Sequence, residues 1–205
     1  MGKPALWRLS LVLFVAACGG SSASDEALAL SDASVGSGAD GAPESSPDAA
    51  PESSSGSFAV LSYNVAGLPQ GVSGNDPAVN TSLMSPLLNA YQLVLVQEDF
   101  SYHGDLVSEA EHLHQSTPMQ GNAVDVGDGL NRITDFAFTD FARVEWNECN
   151  GLFTDKSDCL ASKGFSYARH TLAPGVQVDI YNLHMDAGRS GGDVDARLAQ
   201  VQQLA

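Results

Sequence analysis

Apolar side chains fall into three regimes along the chain. Behind Lys3 and Arg8, Leu9-Ser10-Leu11-Val12-Leu13-Phe14-Val15-Ala16-Ala17 is an almost unbroken apolar run closed by small residues. It is too short to span a bilayer as a helix and has the layout of a secretory leader. From Gly19 to Ser57 large apolar residues nearly vanish. From Phe58 onward they return in blocks whose spacing predicts elements. Residues 58–65 read as a strand, rich in β-branched and aromatic side chains and stopped by Ala66-Gly67-Leu68-Pro69. Residues 81–90 predict a short helix that carries Pro86. The continuous apolar run of 91–98 predicts a strand covered on both faces. Residues 105–114 read as a helix and 141–146 as a strand. Strands at 164–172 and 176–185 flank the turn-forming Ala173-Pro174-Gly175 and predict a hairpin. Residues 193–205 predict a final helix. A β–α–β opening followed by antiparallel hairpins points to an α/β class, a layered sandwich of mixed sheets.

Composition divides the chain further. The stretch from Gly19 to Ser57 is mainly Ser, Ala, Gly, Pro, Asp and Glu, with seven acidic residues (Asp25, Glu26, Asp32, Asp40, Glu44, Asp48, Glu52) and no Lys or Arg. Such a segment cannot bury enough apolar surface to offset its ordering entropy, and self-repulsion extends it. The leader's end, Val15-Ala16-Ala17-Cys18, resembles the bacterial lipobox, in which the cysteine is acylated and becomes the new N-terminus; an ordinary signal peptide with an incidental cysteine is the alternative. Gly19 is not the aspartate that retains such proteins in the inner membrane, so outer-membrane or surface placement is expected. The expected organisation is a leader at 1–17, a lipidated Cys18 heading an acidic spacer to 57, and a folded domain at 58–205. The partner this implies is a membrane.

The domain carries 18 acidic residues against 7 basic ones. It has no basic stripe of the kind that steers nucleic acid, although a bound divalent ion would change the local field. With Cys18 assigned to lipid, Cys149 and Cys159 remain, an even number in an oxidising compartment. A disulfide between them would contribute on the order of 2–3 kcal/mol by chain entropy. A metal site is the rival reading, but two cysteines with no neighbouring His or third Cys make a poor ligand set.

Three polar residues stand at or near the ends of apolar strands: Asn64, Glu98 and His184. Strands that end so can deliver side chains to one rim on a rigid frame. Taken singly, each could merely cap its strand. Taken in order, Leu61-Ser62-Tyr63-Asn64-Val65, Val94-Leu95-Val96-Gln97-Glu98 and Tyr181-Asn182-Leu183-His184-Met185-Asp186-Ala187-Gly188 resemble successive motifs of the endonuclease/exonuclease/phosphatase superfamily. The resemblance implies a two-sheet α/β sandwich that hydrolyses phosphate esters with Mg²⁺ or another divalent cation. It implies that Glu98 holds the metal, that Asn64 orients phosphate or a metal-bound water, and that His184 contacts the phosphoryl group.

Cys149-Asn150-Gly151 and Ser162-Lys163-Gly164-Phe165-Ser166-Tyr167-Ala168-Arg169 are similar to the cysteine loop and strand of secreted bacterial sphingomyelinases. Entry into an ordinary strand is the alternative for Lys163-Gly164-Phe165. Arg132, in Gly127-Asp128-Gly129-Leu130-Asn131-Arg132, is a candidate for a phosphate contact at the cleft rim, or part of a solvated turn. Asp186 is a candidate for support of His184 or substrate. His112 and His114 have the wrong spacing for one helix face. The superfamily's later aspartate–asparagine and aspartate–histidine segments do not follow His184, so a C-terminally truncated domain, inactive alone, is expected. The leading expectation is a phosphodiesterase acting on phospholipid, possessing a sphingomyelinase or phospholipase C type of chemistry. An extracellular nuclease of the same fold and a non-catalytic surface binding protein are the alternatives.

Overall fold

A computed structural model describes residues 56–72, 74–121, 126–151, 159 and 161–205. The expected leader, Cys18 and the expected spacer as far as residue 55 lie outside these residues. Two sheets form the domain. The first has the order β1–β2–β4–β3, from Val60–Asn64, Leu93–Gln97, Asn131–Thr134 and His114–Gln115. Only β1 and β2 run parallel in it, with Asn64 level with Gln97. The second is an antiparallel meander of β5 (Phe138–Glu145), β6 (Gly164–Ala173) and β7 (Val176–Leu183). The predicted hairpin is there, turning through Gly175 at φ +78.

The apolar run of β2 is explained by its two faces. Val94 and Val96 join Val65, Leu88, Leu106 and Ile133 in the core beneath the helices. Leu93, Leu95 and Gln97 alternate with them and are buried as well. Helix α1 (Pro77–Met84) starts earlier than expected because Pro77 suits a first helical turn. The chain tightens into a 3₁₀ segment, Ser85–Ala90, at Pro86. Helix α3 (Gly191–Leu204) begins at a capping box in which the side chains of Ser190 and Asp193 each accept from the other's backbone N–H.

Two expectations fail for identifiable reasons. The helix expected over 105–114 shrinks to α2, His103–Leu106, and the chain then turns into β3. The backbone N–H of Glu109 donates to Ser85 Oγ, that of Glu111 donates to Asn89 Oδ1, and the Glu109 carbonyl accepts from Asn89. Those tertiary partners take the groups a longer helix would use. The stretch ending in Arg132 is neither a rim loop nor a solvated turn at that residue. Arg132 lies in β4 opposite Leu95 and is wholly buried. Its guanidinium donates to Ser166 Oγ and the Ile180 carbonyl, and it packs over the rings of Phe138 and Phe141. A candidate phosphate contact is thus part of the packing between the sheets.

Burial pulls the Arg132 guanidinium down to about 10, with Arg143 adding to the effect. Beside it, buried His170 is pushed down to about 4, first by burial and then by Arg132. Its ordinary value is 6.5. The folded state therefore refuses a proton that the unfolded chain accepts, and stability should fall as pH drops from 6.5 towards 4. Thermal unfolding across that window should show the decline, and His170→Gln should flatten it. An unchanged slope in that variant would discount the histidine.

Candidate active site

Glu98 follows directly on β2, past the paired residues, and has a left-handed backbone at φ +56. Such a conformation is disfavoured for a side-chain-bearing residue and needs support from its surroundings. Gly67 N–H and Phe100 N–H both donate to the Glu98 carbonyl, and Ser101 N–H donates to the Gly67 carbonyl. Gly67 and Gly129 make room: a Cβ at Gly67 would stand 2.6 Å from the Glu98 carbonyl oxygen, and one at Gly129 2.9 Å from the Glu98 Cα. Asp99, next in the chain, is buried and accepts from Asn131 Nδ2 at 2.8 Å while pairing with His103 Nδ1 at 2.6 Å. This corner aims the Glu98 carboxylate back over the strand ends.

The structure brings Asn64, Glu98 and His184 together. Asn64 Nδ2 donates to Glu98 Oε1 at 2.8 Å, and Asn64 Oδ1 accepts from Ala66 N–H, which fixes the amide. His184 Nε2 lies 3.5 Å from the same Oε1. His184 is itself held through its backbone, with its N–H on the Gly164 carbonyl and its carbonyl on Trp146 Nε1. Its Nδ1 is buried without a hydrogen-bond partner. Burial alone would raise the Glu98 carboxyl. The hydrogen bonds from His184 and Asn64, with the charges of His184 and Lys163, outweigh it and hold Glu98 below the ordinary carboxylate range. Glu98 is therefore an ionised, partly accessible carboxylate in a largely buried setting.

That donor set suits a hard cation of the magnesium kind, which takes one or two carboxylates and fills its remaining positions with water and substrate phosphate. Both named contacts fall on Oε1, and the second carboxylate oxygen carries neither. Among the described residues no group of three or more His, Cys, Asp or Glu forms a metal cage.

Asp186 does different work from the support imagined for it. Its Oδ2 accepts from Asn150 N–H at 2.6 Å and its Oδ1 from Gln200 Nε2 at 2.9 Å, which ties the segment after His184 to the cysteine loop and to α3. Both carboxylate oxygens are occupied inside the protein. Cys149 and Cys159 are joined by a disulfide, with a Cα separation of 5.5 Å. Sequence reasoning assigns Asn182 and Gln97 no role and Lys163 only a place in a segment similar to sphingomyelinases. Lys163 is buried and acts on Glu98; Asn182 and Gln97 lie between the sheets. The signal for Asn182 and Gln97 was polarity at positions where the strand alternation calls for apolar side chains.

No family model matches the chain. Curated sphingomyelinases of Mycobacterium bovis and Mycobacterium tuberculosis are 37% identical to it over 154 residues. That match covers 72% of this chain and 30% of each relative, so the chain spans less than a third of the curated relatives it matches. Among solved structures, a Staphylococcus aureus beta toxin double mutant with bound magnesium ions superposes with a TM-score of 0.60 at 18% identity, over 71% of this chain and 57% of that one. Sphingomyelinase C from Streptomyces griseocarneus gives 0.56 at 20% identity, over 73% and 57%. At those identities the solved structures show a common two-sheet fold.

Proposed function

We propose that the chain belongs to the endonuclease/exonuclease/phosphatase superfamily and that the cleft at Glu98, Asn64 and His184 is that of a divalent-metal-dependent phosphodiesterase acting on sphingomyelin-type phospholipid. The observation that carries the proposal is the meeting of an ionised Glu98 with Asn64 and His184 at the adjoining ends of two sheets. Glu98 would hold the cation, and Asn64 keeps the carboxylate aimed. A bound Mg²⁺ supplies Lewis-acid polarisation of the phosphoryl oxygens. His184, whose Nε2 stands 3.5 Å from the Glu98 carboxylate, would present that ring nitrogen to a phosphoryl oxygen, a contact that strengthens as charge grows there in the transition state.

Substrate class rests on the 37% identity to sphingomyelinases and on the acidic domain, which offers little to a polyanionic duplex. Location follows the same reading. Lipidation of Cys18 at the cell envelope would hold the cleft near lipid on an acidic tether, with the outer membrane or cell surface as the favoured address.

The test is headgroup release from sphingomyelin vesicles by the full-length protein. Phosphocholine should appear with Mg²⁺ and stop with excess chelator. Hydrolysis of DNA with intact lipid would reverse the assignment in favour of a nuclease.

A further inference from the structure

Directly beneath the proposed site, one side chain joins the two sheets. Asn182 stands two residues before His184 on β7, and Val96 stands two residues before Glu98 on β2. Asn182 is 2% exposed. Its Nδ2 donates to the Val96 carbonyl at 2.9 Å and to the Asn131 carbonyl at 3.3 Å, while its Oδ1 accepts from Gln97 Nε2 at 2.6 Å. Gln97 in turn donates to Ser62 Oγ on β1, two residues before Asn64. The strand that carries His184 is thus pinned to both strands that carry Glu98 and Asn64, one pleat below each.

The placement matters because Glu98 and His184 belong to different sheets. Within a sheet the ladder hydrogen bonds fix register, but between sheets small sliding displacements are opposed by buried polar contacts, those of Asn182 and, from β4, those of Arg132. A fully bonded buried amide resists them because each displaced donor or acceptor would be left unpaired without water. Aliphatic side chains of similar volume would fill the same space without setting the offset.

We infer that Asn182 is a positioning residue that sets the distance from His184 to Glu98, with Gln97 as its partner. The inference rests on the functional reading of that site, but its first test does not need turnover. In the full-length protein the His184 ring nitrogens, observed by ¹⁵N NMR, should respond to Glu98→Gln, since the ring lies 3.5 Å from that carboxylate. In Asn182→Ala this response should vanish, while Mg²⁺ affinity, measured by calorimetry, should stay within about twofold because Glu98 and Asn64 both belong to the first sheet. In the sphingomyelin assay kcat should fall by about 100-fold with KM within about twofold, the size of loss that an ångström of misplacement produces.

A His184 response that survives in Asn182→Ala overturns the inference, and so does a loss of Mg²⁺ affinity that tracks kcat. Should Asn182→Ala fail to fold, Gln97→Met removes the staple's bonds to Asn182 Oδ1 and Ser62 Oγ at nearly constant volume. The same comparison then decides, with a weakened His184 response in support and an unchanged one against. A wild-type protein inactive on every phosphodiester would refute the functional reading and leave the NMR comparison to judge Asn182 alone.

Discussion

Glu98→Gln should reduce phosphodiester hydrolysis by about 1,000-fold while leaving the fold in place, the magnitude typical of removing one strong electrostatic contact to a developing charge. The substitution keeps side-chain length and volume. The glutamine oxygen can still accept from Asn64 Nδ2, so the local geometry has no reason to change. What disappears is the negative charge, and with it the carboxylate for a hard cation. Mg²⁺ titration should therefore lose its heat in step with activity. In the unsubstituted protein, cation binding should be flat through neutral pH and fail only below about 4.5, since Glu98 is held beneath that ordinary value. The stability contributed by ionised Glu98 has the same sign: present above the unfolded value and lost as pH falls through the lower folded one. Glu98→Gly makes a sharper comparison. It removes the side chain and relieves the left-handed strain at φ +56, so turnover should vanish while the unfolding midpoint holds or rises. More than a tenth of normal turnover in Glu98→Gln would remove Glu98 from the proposed machinery.

The legible parts of this chain were those where one physical demand acted alone. Residues 93–96 had to be apolar on both faces, and a continuous run of aliphatics announced it. Pro174-Gly175 announced the hairpin turn, whereas residues 81–90, read as one helix carrying Pro86, divide between α1 and a 3₁₀ segment. Asn64, Glu98 and His184 were visible because each is polar just where an apolar strand stops. The illegible parts are those where a polar residue is buried by partners distant in sequence. Asn131-Arg132-Ile133-Thr134 is a four-residue strand in which every residue is buried, yet three of the four side chains are polar. Arg132 reads as surface until Ser166, Ile180 and two phenylalanines close over it from the other sheet. Asp186 read as a neighbour of the chemistry because proximity in sequence says nothing about Asn150 and Gln200, which occupy its oxygens. The left-handed turn at Glu98 had no local signal either. It depends on Gly67 and Gly129, each about thirty residues away.

Gly164→Ala should be the most damaging single methyl in the domain. Gly164 opens β6 level with Glu145 of β5, and a Cβ there would overlap the Val144 carbonyl oxygen and stand 2.9 Å from the Glu145 Cα. Both obstacles are backbone, so no rotamer change relieves them and the strands must separate. Overpacking ordinarily costs about 1–3 kcal/mol, and a clash against backbone belongs at or above the upper end. For a domain of this size that lowers the unfolding midpoint by about 10 °C. The same displacement reaches the site, because the Gly164 carbonyl accepts the His184 N–H and Trp146 is bonded both to the Lys163 carbonyl and to the His184 carbonyl. Loss of kcat should therefore exceed what destabilisation explains at a temperature where the variant is fully folded. Gly175→Ala is the control. It adds the same methyl at φ +78 with nothing within 4 Å of the new Cβ, in the hairpin turn at the far end of β7 from His184. Its penalty is conformational alone, about 1 kcal/mol, and turnover should be intact. Equal losses of stability and kcat in the two variants would contradict this account, because only the first methyl meets the backbone that positions His184.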